Sequence, residues 1–177
     1  MKAIYLLLAL CFTGCVGIPE KVKPVENFKV EKYLGRWYEI ARLDHSFERG
    51  LNRITADYSL RDDGGVRVLN RGYWAEKQKW KEAEGKAYFV KTPDLGFLKV
   101  SFFGPFYGSY IVFALDQQNY QYSMICGPDK SYLWILARSP DLDEGVQKML
   151  IGKAAALDFD TDKLIFVEHH PLPGSPN

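Results

Sequence analysis

The sequence predicts an all-β protein: one eight-stranded, up-and-down antiparallel barrel with a single C-terminal α-helix packed outside it. Three observations support this prediction. Aromatic residues make up 15% of the chain, and such rings favour strands. From residue 37 onward, turn residues interrupt the chain about every ten positions, which is typical of an antiparallel barrel or sandwich. A helical spacing of apolar residues occurs only once, late in the chain.

The eight predicted strands follow one another without a long insertion. The second strand has the clearest pattern, because apolar residues at positions 54, 56, 58 and 60 alternate with polar ones. The Asp-Gly and Gly-Gly steps at positions 63–65 then favour a tight turn. Closing such a sheet into a barrel removes its edges. The predicted strands span residues 37–46, 53–61, 66–73, 80–90, 97–103, 110–115, 120–126 and 132–138.

One amphipathic helix is predicted after the eighth strand. Apolar residues at positions 142, 146, 149, 150 and 157 fall on one helical face. Ser139 followed by Pro140 is a helix start signal, and Asp141 with Glu144 is an alternative capping pair. A short last strand is predicted over residues 164–168, followed by a tail.

The N-terminus has the layout of a secretory signal, with Lys2, an apolar run over residues 4–12 and then small residues. The run is too short to span a bilayer. Thr13-Gly14-Cys15 resembles the lipobox of bacterial lipoproteins, in which the cysteine is acylated and becomes the new N-terminus. The resemblance implies lipidation of Cys15, and Val16 after it implies sorting to the outer membrane of a Gram-negative bacterium. An ordinary secreted protein cleaved near Gly14 is the alternative.

These features divide the chain into four parts. Residues 1–14 are a signal peptide, residues 15–28 the lipidated cysteine and a tether, residues 29–170 the barrel with its helix, and residues 171–177 a tail. The tether prediction rests on two prolines and the lack of any apolar period in residues 16–28. No disulfide is expected within the barrel, because Cys11 leaves with the signal and Cys15 is acylated, so Cys126 has no partner.

Several kinds of chemistry are not indicated. A net charge of +1 with no basic block argues against a nucleic-acid partner. His169 and His170 are adjacent and lack a spaced set of further ligands, so no metal site is expected. Asp44, His45 and Ser46 are consecutive and would point to opposite faces of a strand, which excludes a catalytic triad. The sequence predicts no cofactor and no enzyme activity.

Three motifs in order resemble those of the lipocalin family. Gly35 and Trp37 form the first motif, Gly-x-Trp, at the start of strand one. Asp116 and Tyr120 lie where the second motif is found, with altered spacing, and Arg138 ends the eighth strand as the third motif requires. Residues 100–108 and 126–136 are similar to the bacterial lipocalins in particular. The resemblance covers residues 28–168 and implies that Arg138 stacks on Trp37 and closes one end of the barrel.

Strand direction alternates in such a barrel, which gives it two distinct ends. Trp37, Asp116 and Arg138 should meet at one end, here named the closed end. The loops over residues 44–52, 74–79, 104–108 and 127–131 should meet at the other, the open end, where a ligand would enter. Phe106 and Tyr107 are predicted to form an exposed apolar patch there that contacts a membrane or another protein.

Alternation along each strand then predicts which side chains face the interior. An inward Arg138, for example, implies inward Leu136 and Trp134. Small residues on the fourth strand, such as Ala87, would leave room for a ligand. The residues predicted to line the ligand cavity are Ala56, Tyr58, Val68, Ala87, Phe89, Val100, Phe102, Tyr110, Val112, Tyr122, Met124, Trp134 and Leu136.

The lipocalin resemblance implies lipid binding, and the barrel dimensions narrow the ligand shape. A barrel about 20 Å deep is long and narrow, which favours one acyl chain of a fatty acid or lysophospholipid. The head group would stay at the open end near Tyr110, Tyr132 or Lys130. Two alternatives remain: a thiol-dependent isomerase, which needs a reactive Cys126 facing the cavity, or a scaffold lipoprotein with a filled barrel. The sequence leaves open whether the protein forms a homodimer.

Overall fold

The computed structural model describes residues 16–169; the predicted signal peptide, Cys15, His170 and the tail lie outside this range. Alternating apolar residues and turn signals produce a chain dominated by strands. The elements in chain order are α1 Val30–Tyr33, β1 Gly35–Arg42, β2 Leu51–Leu60, β3 Val66–Trp74, β4 Lys79–Phe89, β5 Phe97–Phe103, β6 Phe106–Leu115, β7 Tyr122–Cys126, β8 Leu133–Ala137, α2 Glu144–Ala156 and β9 Ile165–Phe166.

The strands form one closed antiparallel barrel. Each of β2 to β7 pairs with the next strand along the chain, and β1 pairs with both β2 and β8 and so closes the sheet. The short β9 adds to β1 beyond its pairing with β2, where Ala41 lies opposite Phe166. The predicted eight-stranded barrel with one C-terminal helix is therefore confirmed, as is a short last strand. Among residues 16–169, no helix is long and apolar enough to cross a membrane.

Two strands differ from their predicted limits for local reasons. β1 ends at Arg42 rather than at residue 46, because the following residues turn away from the sheet and Arg49 bonds back to Asp44 at 2.6 Å. β6 begins at Phe106 rather than at residue 110. Its first residue pairs with Phe103 across a two-residue turn, so β5 and β6 extend as a hairpin to the tip of the open end.

The helix begins later than either predicted start. The Asp143 side chain accepts hydrogen bonds from the backbone amides of Gly145 and Val146, which makes Asp143 the N-cap. A carboxylate in this position satisfies amides that have no partner within the helix. Leu150 and Ala154 are buried against the barrel, whereas Met149 is 47% exposed, so the prediction that Met149 lies on the packed face is wrong.

Buried side chains form two separate groups, one on each side of the barrel wall. The outer cluster lies between the wall and α2 and includes Ile40, Ile111, Ile135, Leu150 and Phe159. The interior cluster fills the barrel and includes Trp37, Tyr58, Val68, Val112 and Ile125. The interior cluster therefore forms the wall of any ligand site inside the barrel.

Residues 16–28, named here the N-terminal segment, pack on the barrel instead of forming a free tether. Val25 exchanges backbone hydrogen bonds with Val112 and Gly96, each 2.8 Å long. Val22 and Phe28 are buried. The segment is therefore bound to the barrel, because its backbone groups find partners there that a free tether would leave to water.

Candidate ligand site in the barrel

The closed end is sealed by the predicted pair of Trp37 and Arg138. The Arg138 Cζ atom lies 4.0 Å from the centroid of the Trp37 ring, and Trp37 is fully buried. The guanidinium also donates to the carbonyl oxygens of Arg36 and Lys32, each at 2.8 Å, and to that of Tyr120 at 3.3 Å. One side chain thus joins α1 and the start of β1 to the turn before β7.

The other two motif residues support this end of the barrel. Gly35 has φ +87°, a conformation that favours glycine, and its Cα lies beneath the Arg138 guanidinium. Asp116 accepts hydrogen bonds from the backbone amides of Gln118, Asn119 and Gln121. Its carboxylate therefore holds the β6–β7 turn, despite the unusual spacing of the motif in this sequence.

All but two of the predicted lining residues belong to the interior cluster. Five of them are partly buried, and the other six are buried; the partly buried residues are Phe89, Val100, Phe102, Tyr110 and Trp134. The residues brought together in the interior are Ala56, Tyr58, Val68, Ala87, Phe89, Val100, Phe102, Tyr110, Val112, Trp134 and Leu136.

Tyr122 and Met124 are the two exceptions. Both belong to the outer cluster, so the prediction that they line the cavity is wrong. Directly paired residues of neighbouring strands share one face of a sheet, and Ile125 of β7 lies opposite Trp134 of β8. Because Trp134 is in the interior, Ile125 faces inward, and Met124 must face α2.

A hydrogen-bonded group of hydroxyls crosses the interior. The Tyr110 hydroxyl lies 2.8 Å from those of Tyr33 and Tyr58, and the Tyr33 hydroxyl lies 3.0 Å from that of Ser123. Burial raises the pKa of Tyr33 to about 12 and the pKa values of Tyr58 and Tyr110 well above their usual range. All three phenols stay neutral. Tyr110 therefore lies within the barrel, not at the open end where the sequence placed it.

Little free space remains between this group and the closed end. A cavity of about 10 Å³ lies among Phe28, Val30, Tyr33, Leu34, Tyr58, Val66, Val68, Ala87, Leu98 and Tyr110. That is about the space one water molecule needs. Phe28 and Tyr33 come from the segment and helix before β1 and reach the interior from below. An acyl chain can occupy this half only if such side chains move.

The open half holds a buried group of charged side chains. Arg42 Nη1 donates to Glu39 Oε1 at 3.0 Å, and Arg42 Nη2 donates to the carbonyl oxygen of Glu48 at 3.2 Å. Glu48 comes from the β1–β2 loop and accepts a hydrogen bond from Trp134 Nε1 at 3.1 Å. Arg42 Nε finds no hydrogen-bond partner among the described residues. The loop thus covers the open end and places a carboxyl group inside it.

Burial sets the protonation of this group. It raises the pKa of Glu39, as does the nearby Glu48 carboxyl, and it raises the pKa of Glu48 as well. Burial and the Arg42 charge lower the pKa of His45 to about 4, so its imidazole is neutral at pH 7. His45 stacks on Phe47 with ring centroids 4.0 Å apart. Its Nε2 lies 3.2 Å from Glu48 Oε2, but not in hydrogen-bonding alignment.

Cys126 lies on the other side of the wall. It belongs to the outer cluster and is fully buried. Burial, with a smaller effect of Asp129, raises the pKa of its thiol to about 12, so the reactive thiolate is scarce at neutral pH. A thiol-dependent isomerase needs a reactive Cys126 facing the cavity, and neither condition is met. Within residues 16–169, no group of three or more His, Cys, Asp or Glu residues could hold a metal ion.

Three parts of the interior were not predicted from the sequence. The inward position of Ser123 follows from how β7 pairs with its neighbouring strands, and counting alternate residues along one strand does not reveal that pairing. Tyr33 comes from a four-residue helix outside the barrel. Glu39 and Arg42 did leave a signal, because charged residues interrupt the otherwise apolar β1, and paired charges are how such residues become buried.

A closed eight-stranded barrel with an Arg138–Trp37 seal at one end and a helix on its wall is the architecture of the lipocalins. The Lipocalin-like domain family matches residues 28–169 of the chain. The chain therefore belongs to the lipocalin family, as its three motifs predicted.

Individual relatives support the same assignment. The chain is 56% identical over 169 residues to outer membrane lipoprotein Blc of Vibrio cholerae, covering 95% of this chain and 99% of the relative. It is 52% identical over 157 residues to outer membrane lipoprotein Blc of Escherichia coli K12, covering 89% of this chain and 86% of the relative. The predicted localisation, an outer membrane lipoprotein of a Gram-negative bacterium, is confirmed by these relatives.

A solved structure supports the fold alone. Insecticyanin from the tobacco hornworm Manduca sexta superposes with a TM-score of 0.68 at 24% sequence identity, covering 90% of this chain and 89% of that one. At this sequence identity, the similarity shows only that the two proteins share the barrel architecture. The lipocalin family and the names of the two bacterial relatives point to binding proteins rather than enzymes.

Proposed function

We propose that the protein is anchored through acylated Cys15, faces the periplasm, and holds one acyl chain of a fatty acid or lysophospholipid in its barrel without catalysing a reaction. It would store or transport such lipids during membrane maintenance. The observation that carries the proposal is the interior cluster, whose side chains are mostly apolar or aromatic and whose tyrosine hydroxyls already bond to one another. Such a surface stabilises methylene groups, whereas the buried charged groups lie only in the open half.

Entry requires the β1–β2 loop to move. Glu48 lies inside the open end and bonds Trp134, so a chain entering there must displace this contact. Displacement changes the surroundings of the Trp134 indole, and its fluorescence should therefore report binding.

The ligand should lie with its tail toward the closed end. Burying about 14 methylenes gives about 11 kcal/mol, from which immobilisation of the ligand subtracts several kcal/mol. An affinity near micromolar follows before any cost of moving Phe28 or Tyr33. The head group remains at the open end beside Tyr132 and Lys130, where Lys130 already pairs with Asp158 at 3.2 Å. Affinity should then depend on chain length more than on the head group.

A second candidate function is a scaffold lipoprotein with a filled barrel. The cavity of about 10 Å³ near the closed end favours it, because side chains already occupy most of that space. Under this alternative the interior only stabilises the fold, and added lipid would not enter.

Titration with saturated fatty acids of increasing length separates the two functions. Trp134 fluorescence should change saturably, with tighter binding for longer chains, and Trp134→Ala should weaken binding when an independent competition assay is used. Trp80→Ala is the matched control, since Trp80 is 42% exposed on the outer wall, and it should bind as the wild type does. A response independent of chain length, or tighter binding of a compact ring system such as haem, would contradict the acyl-chain proposal. Absence of any binding would favour the scaffold.

A further inference from the structure

The path of the N-terminal segment sets where the lipid anchor leaves the barrel. Phe28 lies at the closed end, where its amide donates to the carbonyl oxygen of Asp94 in the β4–β5 loop. Val25 is bonded to Val112 farther along β6, and Gly17 reaches Ser109. Because β6 begins at the open end, the segment climbs the outer wall from the closed end toward the open end.

The last described contact of this path is a two-way hydrogen bond. The Gly17 amide donates to the Ser109 hydroxyl at 2.9 Å, and that hydroxyl donates to the Gly17 carbonyl oxygen at 2.6 Å. Ser109 is three residues from Phe106 along β6, or about 10 Å. Two residues of backbone span at most about 7 Å, so an anchor at Cys15 would attach near this point. The described chain therefore starts on the upper part of the barrel wall, held there through Gly17.

The open end nearest this point carries exposed apolar side chains. Phe103 and Phe106 pair across the β5–β6 hairpin and are 80% and 57% exposed. Val16 and Ile18, which flank Gly17, are 37% and 38% exposed. Lys77 and Lys79 of the neighbouring β3–β4 hairpin are exposed as well. Aromatic rings with nearby cations suit the boundary between lipid head groups and acyl chains.

We propose that the open end of the barrel is held against the phospholipid surface that contains the Cys15 acyl chains, with Phe103 and Phe106 among the head groups. This rests on the proposed acylation of Cys15. A free tether of 13 residues would leave the orientation undetermined, whereas the bound N-terminal segment brings the anchor and the aromatic hairpin to the same end. A lipid could then pass between bilayer and barrel without crossing water.

Spin labels at the two ends test the orientation in the full-length, acylated protein. Phe103→Cys places a nitroxide at the open end, and Leu60→Cys, at a position 56% exposed at the closed end, is the matched control. The buried Cys126 should not compete for the label. The protein is reconstituted into vesicles of phosphatidylethanolamine and phosphatidylglycerol, and label accessibility is measured with oxygen and with a water-soluble nickel chelate.

The ratio of oxygen accessibility to nickel-chelate accessibility should be several-fold higher for the label at position 103 than for the label at position 60. Equal aqueous accessibility at both positions, or lipid exposure at position 60, would overturn the orientation. Spin–spin broadening at position 103 with low accessibility to both reagents would also overturn it, because Phe103 would then contact a second copy. Flotation of the same vesicles separates the two claims: protein that does not float refutes the anchor, and protein that floats with position 103 in water refutes the orientation alone.

Discussion

Arg138→Ala should destabilise the barrel by opening its closed end. The substitution removes the guanidinium that lies 4.0 Å from the Trp37 ring, an interaction of about 0.5–2 kcal/mol. It also removes the donors to the carbonyl oxygens of Lys32, Arg36 and Tyr120. Water can replace some of these donors, so they add about 1–2 kcal/mol in total. The expected loss is roughly 1.5–4 kcal/mol in the free energy of unfolding.

Urea denaturation followed by fluorescence measures this loss. With a slope of about 2 kcal/mol per molar urea, the midpoint should fall by about 1–2 M. Arg138→Lys keeps a cation without the planar fork and should lose an intermediate amount. Arg67→Ala is the control, because its 2.6 Å pair with Glu84 lies on the exposed outer wall and should cost under about 1 kcal/mol. Ligand affinity of folded Arg138→Ala should change little. An unchanged midpoint with a large loss of affinity would refute the structural role.

Three further predictions concern His45, Cys126 and Cys15. Folding lowers the pKa of His45 to about 4. As the pH falls below about 6.5, His45 is therefore protonated in the unfolded state before it is protonated in the folded state, which favours unfolding. Between pH 7 and pH 4, the wild type should lose up to about 3 kcal/mol more stability than His45→Gln does. Parallel urea titrations at each pH test this, and equal losses would contradict it. Cys126 should resist alkylation at pH 7.5 until urea unfolds the barrel, and rapid labelling of the folded protein would restore the thiol-enzyme alternative. Labelled palmitate should enter the wild type but not Cys15→Ser, and equal incorporation would disprove the anchor.

The barrel could be predicted from the sequence because its signals are local. Alternation in β2, turn residues between strands and a late helical stripe each involve a few neighbouring positions. The Trp37–Arg138 contact could also be predicted, since alternating strand direction brings both residues to one end. The predicted end of β1 was less accurate, because the following residues form a loop in which Arg49 pairs with Asp44.

The interior was predicted in part, because it depends on pairing between strands. β6 contains a bulge between Val112 and Ala114, and an extra residue there shifts which side chains face inward. Ala114 therefore lies in the outer cluster although it is two residues from the inward Val112. Alternation along β7 alone does not fix which of its faces is inward, and the prediction that Met124 is inside was wrong because its partner Ile135 lies in the outer cluster. The path of residues 16–28 could not be predicted from the sequence, because the segment is held by Ser109 and Val112, which are distant in sequence.

Photo-cross-linking inside the barrel tests the central claim most directly. A palmitate analogue with a diazirine at its terminal carbon is bound to the wild-type protein and irradiated, and the modified residues are located by mass spectrometry. Tail-down binding predicts labelling of deep interior residues such as Val68, Ala87 or Leu98, suppressed by unlabelled palmitate. An analogue with the diazirine beside its carboxylate should instead label the open end near Tyr132. Labelling confined to the outer wall, or labelling that unlabelled palmitate does not suppress, would contradict a ligand site in this barrel.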